Sequence, residues 1–174
     1  MSDKARHRRP SPEHHLRGKY EQLTGLDETL RRVQELSART VILDIEPLVA
    51  YWDSSQEVLD QGVASVVPRV AAIPGVQVVC LATNSLRRPS QVPEVEGVRI
   101  VWLAGAAKPL RTAAYREFPR PGVVIGDQVT TDGLLASRLG YVFLQYRPPL
   151  DHIPPGPWLM DRFGRLIRPV LFTG

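Results

Sequence analysis

The chain has 174 residues, of which 43% are hydrophobic and 23% are charged, a balance that suits one globular domain and excludes wholesale disorder. Its net charge of +4 is concentrated in residues 1–20, because the 16 basic and 16 acidic residues that follow cancel. The longest apolar stretch, residues 63–82, is interrupted by two prolines, an arginine and a glutamine, which excludes a membrane span.

Residues 1–18 are predicted to form a disordered basic arm. The charge of such an arm can attract nucleic acid or anionic lipid, but a solvated leader is the simpler interpretation, so nucleic acid is not an expected partner. A folded domain is predicted over residues 19–150. Residues 151–174 are expected to be a C-terminal extension, packed on the domain or at a subunit contact.

Helical spacing of apolar residues begins near Gly25, and Ser54 or Ser55 is expected to cap a second helix. A third helix is predicted to begin at Pro109, which suits the first helical position, and a fourth to close at Gly140. Between the helices lie five predicted strands, over residues 40–43, 76–81, 98–103, 123–125 and 141–145. Because apolar strands alternate with helices, the sequence predicts a three-layer α/β sandwich around a central, mostly parallel five-stranded sheet.

The C-terminal extension is predicted to lack regular structure up to Trp158, because five prolines interrupt residues 148–157. Beyond this point, residues 161–165 are expected to form the turn of a small hairpin. Trp52, Trp102 and Trp158 are interpreted as packing residues, since no basic residues interleave with them as in a stacking platform.

The single cysteine, Cys80, lies in an apolar run and is interpreted as a small buried hydrophobic residue, not as a nucleophile. One cysteine cannot form a disulfide within the chain. The N-terminus is polar and lacks the apolar segment of a signal peptide. These features predict a cytoplasmic protein.

Polar residues follow the predicted strands at the edge where a parallel sheet gathers its ligands. The candidate site residues at these strand ends are Asp44, Glu46, Thr83, Asn84, Lys108, Asp127, Thr131 and Asp132. Carboxylates suit a nucleophile and a hard cation, and a lysine with a hydroxyl suits phosphate oxygens, so the set predicts phosphoryl transfer. Taken singly, Asp44 could be a turn former, Lys108 a solvated loop lysine and Asp132 a helix cap. Their convergence favours a site.

In order and spacing, these motifs resemble those of the haloacid dehalogenase superfamily over roughly residues 20–150. The motifs are Asp44-Ile45-Glu46-Pro47, Thr83-Asn84, Lys108-Pro109, and Gly126-Asp127-Gln128 with Asp132 shortly after. More narrowly, the chain resembles the capless subclass III, which includes YqeG-type proteins and phosphatidylglycerophosphate phosphatases. The resemblance implies a Rossmannoid fold with no large cap domain. It therefore implies an open site for a large substrate, or for a second copy of the chain or a protein partner that completes it.

The resemblance implies that Asp44 is the nucleophile, which forms an aspartyl-phosphate, and that Glu46 is the acid and base. It also implies a Mg²⁺ ion held by Asp44, the backbone carbonyl of Glu46, Asp127 and Asp132. Phosphatase chemistry of this kind acts on a phosphate monoester, which here could be a small molecule, a nucleotide or a lipid head group.

The remaining motif residues are implied to contact the substrate. Thr83 and Asn84 would bind it, and Lys108 would both bind phosphate and offset the charge of the nucleophile. The implied function is a magnesium-dependent hydrolase of phosphate monoesters.

The chain departs from the family at Glu46, where the usual residue is aspartate. Glutamate has the same acid chemistry but one more methylene, and such a misplacement in a catalytic site can cost on the order of 100-fold. Pro47 and Leu48 also differ from the usual residues of the turn. Two hypotheses follow: a phosphatase with impaired turnover, or a catalytically weak or inactive binding or regulatory module with the same fold.

Overall fold

A parallel sheet forms the centre of the structure. A computed structural model of the chain describes residues 18–149 and 154–173. The strands, in chain order, are β1 Gly18–Leu23, β2 Thr40–Asp44, β3 Val78–Ala82, β4 Arg99–Leu103, β5 Gly122–Gly126, β6 Val142–Tyr146 and the two-residue β7 Phe172–Thr173. The helices are α1 Leu26–Glu35, α2 Gln56–Ala71, α3 Leu134–Leu139 and α4 Pro155–Leu171.

Strand β2, which ends at the predicted site residue Asp44, lies between β3 and β5 in the sheet. Across the sheet the order is β4-β3-β2-β5-β6-β1, with β7 beside β1, and the pairings between these strands are parallel. In register, Asp44 pairs with Ala82 of β3, and Leu43 pairs with Ile125 of β5. The carboxyl ends of three neighbouring strands therefore meet at one edge.

Helices cover both faces of this sheet. Val41 and Leu43 of β2 pack in a core with α1 and α2, whereas Ile42 packs on the other face in a core with α3 and α4. The predicted α/β sandwich is confirmed, because β2, β3 and β5 are buried along their whole length. Within the described ranges, no helix has both the length and the apolar character needed to cross a membrane.

The predicted number of five strands is wrong, because the sheet has six strands and the short β7. The additional strand is β1, which pairs with β6 through Tyr20 and Phe143. Leu23 is the one buried residue among residues 19–23, so the segment lacks the apolar run that marks a central strand. The predicted arm, residues 1–18, lies outside the described residues except for Gly18, which begins β1.

Several local predictions are confirmed. Ser55 caps α2, since its side chain accepts a hydrogen bond from the Val58 N–H at 3.3 Å. Gly140 closes α3 with a φ of 66°, the left-handed conformation that glycine adopts most readily. Cys80 is fully buried, and this burial raises the pKa of its thiol to about 12.

The predicted irregular segment and hairpin near the C-terminus are wrong, because residues 155–171 form the helix α4. Pro155 and Pro157 lie in its first turn, where a missing backbone N–H costs no hydrogen bond. The helix packs against a single π-helical turn at Val129–Gly133, and the buried Gly164 lies beside Val129. Residues 154–173 therefore pack on the domain.

The helix predicted from Pro109 is also wrong. The segment forms only a short 3₁₀ turn at Ala113–Tyr115, and Leu110 is exposed. Two further prolines, at positions 119 and 121, confine the segment and leave too few residues for a packed helix. Tyr115 and Phe118 nevertheless fill the core, with their rings in edge-to-face contact.

Candidate functional site

The predicted site residues converge at the carboxyl edge of the sheet. Asp44 is the last residue of β2, while Thr83 and Asp127 directly follow β3 and β5. Lys108 comes from the loop after β4, and Asp132 from the turn before α3. Five separate chain segments thus place these side chains in one region.

Lys108 lies between two carboxylates. Its Nζ is 2.8 Å from Oδ1 of Asp44 and 2.7 Å from Oδ1 of Asp132, and its side chain is 2% exposed. Burial alone favours the neutral amine, but the charges of Asp132 and Asp44 outweigh it and raise the pKa of Lys108. The lysine is therefore a fixed, dry positive charge beside Asp44, and it is not a solvated loop residue.

Asp132 anchors this arrangement. Its Oδ1 accepts from Lys108, and its Oδ2 accepts from the Gln128 N–H at 3.4 Å and the Thr131 hydroxyl at 3.3 Å. A Cβ at Gly126 would overlap the Asp132 side chain, so only glycine fits there. The glycine that precedes Asp127 is therefore required because the Asp132 side chain occupies the space of a Cβ atom at this position.

Asn84 positions the lysine loop. Its Nδ2 donates to the Lys108 carbonyl at 3.1 Å, and its Oδ1 accepts from the Lys108 N–H at 2.7 Å. The amide thus fixes the backbone from which the buried ammonium extends. Direct contact of Asn84 with a substrate stays a prediction.

Three carboxylates could together hold a metal ion. Ligand oxygens of Asp44, Asp127 and Asp132 all lie within 4.8 Å of one another. Oδ1 of Asp127 is buried, and no hydrogen-bond partner for it is found among the described residues, which is costly for a carboxylate oxygen. A cation would satisfy this oxygen, and an all-oxygen ligand set suits a hard cation.

Burial and mutual repulsion shift the acids of this cluster. Burial, followed by the charge of Asp132, raises the pKa of Asp127 to about 7 against the opposing charge of Lys108. The same two causes raise the pKa of Asp44, although Lys108 again opposes them. A bound cation would relieve both effects by stabilising the ionised carboxylates.

Glu46 points to a different set of partners and is not a member of the carboxylate cluster. Its Oε2 accepts from the Thr83 hydroxyl at 3.2 Å, and its Oε1 lies 3.6 Å from Nη1 of Arg87. Burial raises the pKa of Glu46, while the Thr83 hydrogen bond and the Arg87 charge oppose this shift. Metal binding by the backbone carbonyl of Glu46 stays a prediction.

Arg87 is a site residue that the sequence analysis did not identify. Its guanidinium donates to the backbone carbonyls of Tyr51 at 3.0 Å and Ser54 at 2.8 Å, which directs it toward Glu46. The one sequence feature that could have indicated Arg87 is its position shortly after β3, in a loop rich in arginine. Ser85, which the sequence analysis did not identify either, also lines the site, as do Gln128 of the fourth motif and Trp52, which was interpreted as a packing residue.

These residues enclose a cleft of about 230 Å³, lined by Asp44, Glu46, Thr83 and Lys108. The cleft combines a carboxylate, an adjacent ammonium, a hydroxyl and a second acid. This combination can bind an anion and move a proton. Comparison of the chain with protein-family models, with curated proteins and with solved structures finds no match.

Proposed function

We propose that this protein is a magnesium-dependent phosphatase of the haloacid dehalogenase type, which hydrolyses a phosphate monoester through an aspartyl-phosphate on Asp44. The observation that carries the proposal is the buried Lys108, bound to Asp44 and Asp132 beside an Asp127 oxygen that has no hydrogen-bond partner among the described residues. The capless form of the fold and a cytoplasmic location are parts of this proposal that rest on the sequence.

The donor set fits Mg²⁺. Asp44, Asp127 and Asp132 would hold the ion, together with the backbone carbonyl of Glu46. When bound, Mg²⁺ would neutralise charge on the nucleophile and on the phosphate oxygens. Three acids with one buried cation leave a net negative charge that such an ion offsets.

The side chains of the cleft support the following steps. Both the Lys108 ammonium and the Ile45 N–H bind Oδ1 of Asp44, which favours Oδ2 as the attacking oxygen. As this oxygen bonds to phosphorus, the bond from phosphorus to the leaving oxygen breaks. Glu46 would protonate that oxygen and then take a proton from a water molecule. The oxygen of this water bonds to phosphorus as the bond from phosphorus to Asp44 breaks, which releases phosphate and restores the carboxylate. Thr83 and Lys108 would stabilise the phosphoryl oxygens.

A second function, a binding or regulatory module with little turnover, is favoured by one observation. Both carboxylate oxygens of Glu46 are engaged, one by Thr83 and one by Arg87. A carboxyl group held in this way reaches a leaving oxygen only if the substrate displaces one of these partners. Slow turnover with intact phosphate and metal binding would result.

Asp127→Asn is expected to weaken Mg²⁺ binding several-fold and to stabilise the metal-free protein above pH 7. The folded pKa of about 7 lies above the ordinary aspartate value near 4, so the folded state binds the proton more tightly than the unfolded chain does. Stability must therefore fall as pH rises through this interval, and asparagine removes that loss. Calorimetry with Mg²⁺ and thermal melts in EDTA from pH 4 to 8 measure the two effects.

The matched control is Asp53→Asn, the same change at an exposed aspartate. It should alter neither the Mg²⁺ affinity nor the pH dependence of the melting temperature. Unchanged Mg²⁺ affinity in Asp127→Asn would remove this carboxylate from the metal site.

The test of the proposed function is hydrolysis of a simple aryl phosphate with Mg²⁺ and with EDTA, by the wild type and by Glu46→Asp. Wild-type activity should be slow and should require Mg²⁺. Glu46→Asp should raise it several-fold, because the shorter side chain withdraws from Arg87 and frees the Thr83 hydroxyl for phosphate. General acid–base catalysis is worth about 10²- to 10⁴-fold, so even partial recovery is measurable.

Glu57→Asp, at an exposed position of α2, is the control and should have no effect. A fast wild type that Glu46→Asp slows would assign the glutamate as a fully effective acid and base. Absence of activity in every variant would favour the binding module.

A further inference from the structure

A second pocket adjoins the catalytic cleft. It has a volume of about 410 Å³, compared with about 230 Å³ for the cleft, and Trp52 lines both. Asp127 of the carboxylate cluster also lines it. A phosphate ester bound at Asp44 would therefore have this larger pocket within reach of its leaving group.

Aromatic and proline side chains make up most of the residues that line this pocket. They are Pro47, Trp52, Tyr146, Pro148, Pro157 and Trp158. The interpretation of Trp158 as a packing residue is wrong, since it is 49% exposed and carries the guanidinium of Arg162 at 4.7 Å from its ring centroid. Such a ring, held by a cation on one side, is a ready stacking surface for a planar ligand.

The pocket also offers the guanidinium of Arg162, which lies over the Trp158 ring. Arg147 and Arg165 both pair with Asp161, and the Arg165 contact measures 2.9 Å. Across residues 18–149 and 154–173, no carboxylate lies within ion-pair distance of Arg162. Its planar fork of donors matches the geometry of a phosphate group.

We propose that the leaving group of the substrate is a nucleoside that bears a further phosphate. Its base would stack on the ring side chains of the pocket, and its remaining phosphate would pair with Arg162. The inference rests on the proposed phosphatase function. Hydrolysis breaks the ester P–O bond, and one water supplies the hydroxyl of the released phosphate and the proton of the nucleoside hydroxyl.

The test compares kcat/KM for adenosine 3′,5′-bisphosphate, adenosine 5′-monophosphate and ribose 5-phosphate in the presence of Mg²⁺. Each group that the pocket recognises should raise kcat/KM, so the three esters should rank in the order named. Trp158→Ala should lower the value for both nucleotides about tenfold, the scale of one lost stacking contact, and leave ribose 5-phosphate unchanged. Arg162→Gln should lower it for the bisphosphate alone.

Leu166→Ala is the matched control, because Leu166 is exposed on the same helix and does not line the pocket. Calorimetric titration of the bisphosphate into Asp44→Asn protein, with and without Trp158→Ala, gives a readout independent of turnover. Tryptophan-dependent binding without hydrolysis of any ester would support the pocket and overturn the phosphatase. Hydrolysis of all three esters at equal kcat/KM, with Trp158→Ala neutral in both assays, would overturn the nucleotide proposal and leave the phosphatase standing.

Discussion

Asp44→Asn is expected to abolish phosphatase activity while leaving the fold intact. Asparagine has the shape of aspartate but cannot form the acyl-phosphate bond, so the loss should be on the order of 10³-fold or more. The fold should survive because Lys108 keeps its 2.7 Å contact with Asp132. Initial rates on an aryl phosphate, together with the melting temperature of each protein, measure both parts of this expectation.

The same change at Asp53 separates a specific effect from a general one, since that carboxylate is exposed and does not itself line the cleft. Acid-quenched wild type should carry phosphate on the peptide that contains Asp44, and Asp44→Asn should carry none. Activity of Asp44→Asn above a few per cent of wild type would place the nucleophile elsewhere.

The position of the site could be predicted because the buried central strands have a simple apolar sequence pattern. β2, β3 and β5 are buried on both faces, so each appears in the sequence as a short apolar run. A polar residue at the end of such a run marks the carboxyl edge, as Asp44 and Asp127 do. Parallel order then brings these ends together without any knowledge of the loops.

Segments at the margin of the sheet follow other rules. Strand β1 lies between β6 and the short β7 and is stabilised by pairing with both, and its polar residues give no apolar run. Helix α4 begins with prolines that usually indicate a loop but are compatible with a first turn. With residues 161–165 assigned to a hairpin, the helical proximity of Trp158 and Arg162 could not be predicted.

The partners within the site were beyond prediction for a different reason. Glu46 meets Thr83, which is 37 positions away. Their contact depends on the conformations of the loops that follow β2 and β3, and these loops carry no periodic pattern. The double hydrogen bond between Asn84 and the Lys108 backbone is likewise a matter of loop conformation. Residue type indicates the chemistry available, whereas only the fold determines which groups meet.

Lys108→Met is expected to give the largest loss of stability of any single change at the site. Methionine fills similar space but leaves Asp44 and Asp132 buried without their shared cation. Removing one partner of a buried pair typically costs about 3–5 kcal/mol. For a chain of 174 residues, each kcal/mol lowers the melting temperature by roughly 2–4 °C.

The loss of stability in Lys108→Met should vary with pH and with the charge of Asp44 and Asp132. Such dependence would show that the loss comes from broken ion pairs and not from poorer packing. Burial raises the pKa of Asp44, so lowering the pH protonates this orphaned carboxylate and Lys108→Met should recover part of its stability in acid, whereas a packing defect would persist. In the wild type, Asp132→Asn should destabilise the protein, because Lys108 then keeps only Asp44 as an ion-pair partner. In the Lys108→Met background, the same change should add little further destabilisation. Lys19→Met, at an exposed position of β1, is the control for the substitution itself. Equal destabilisation of Lys108→Met at pH 5 and pH 8, with additive effects of the two substitutions, would show that the lysine acts by filling space and not as the cation of the site.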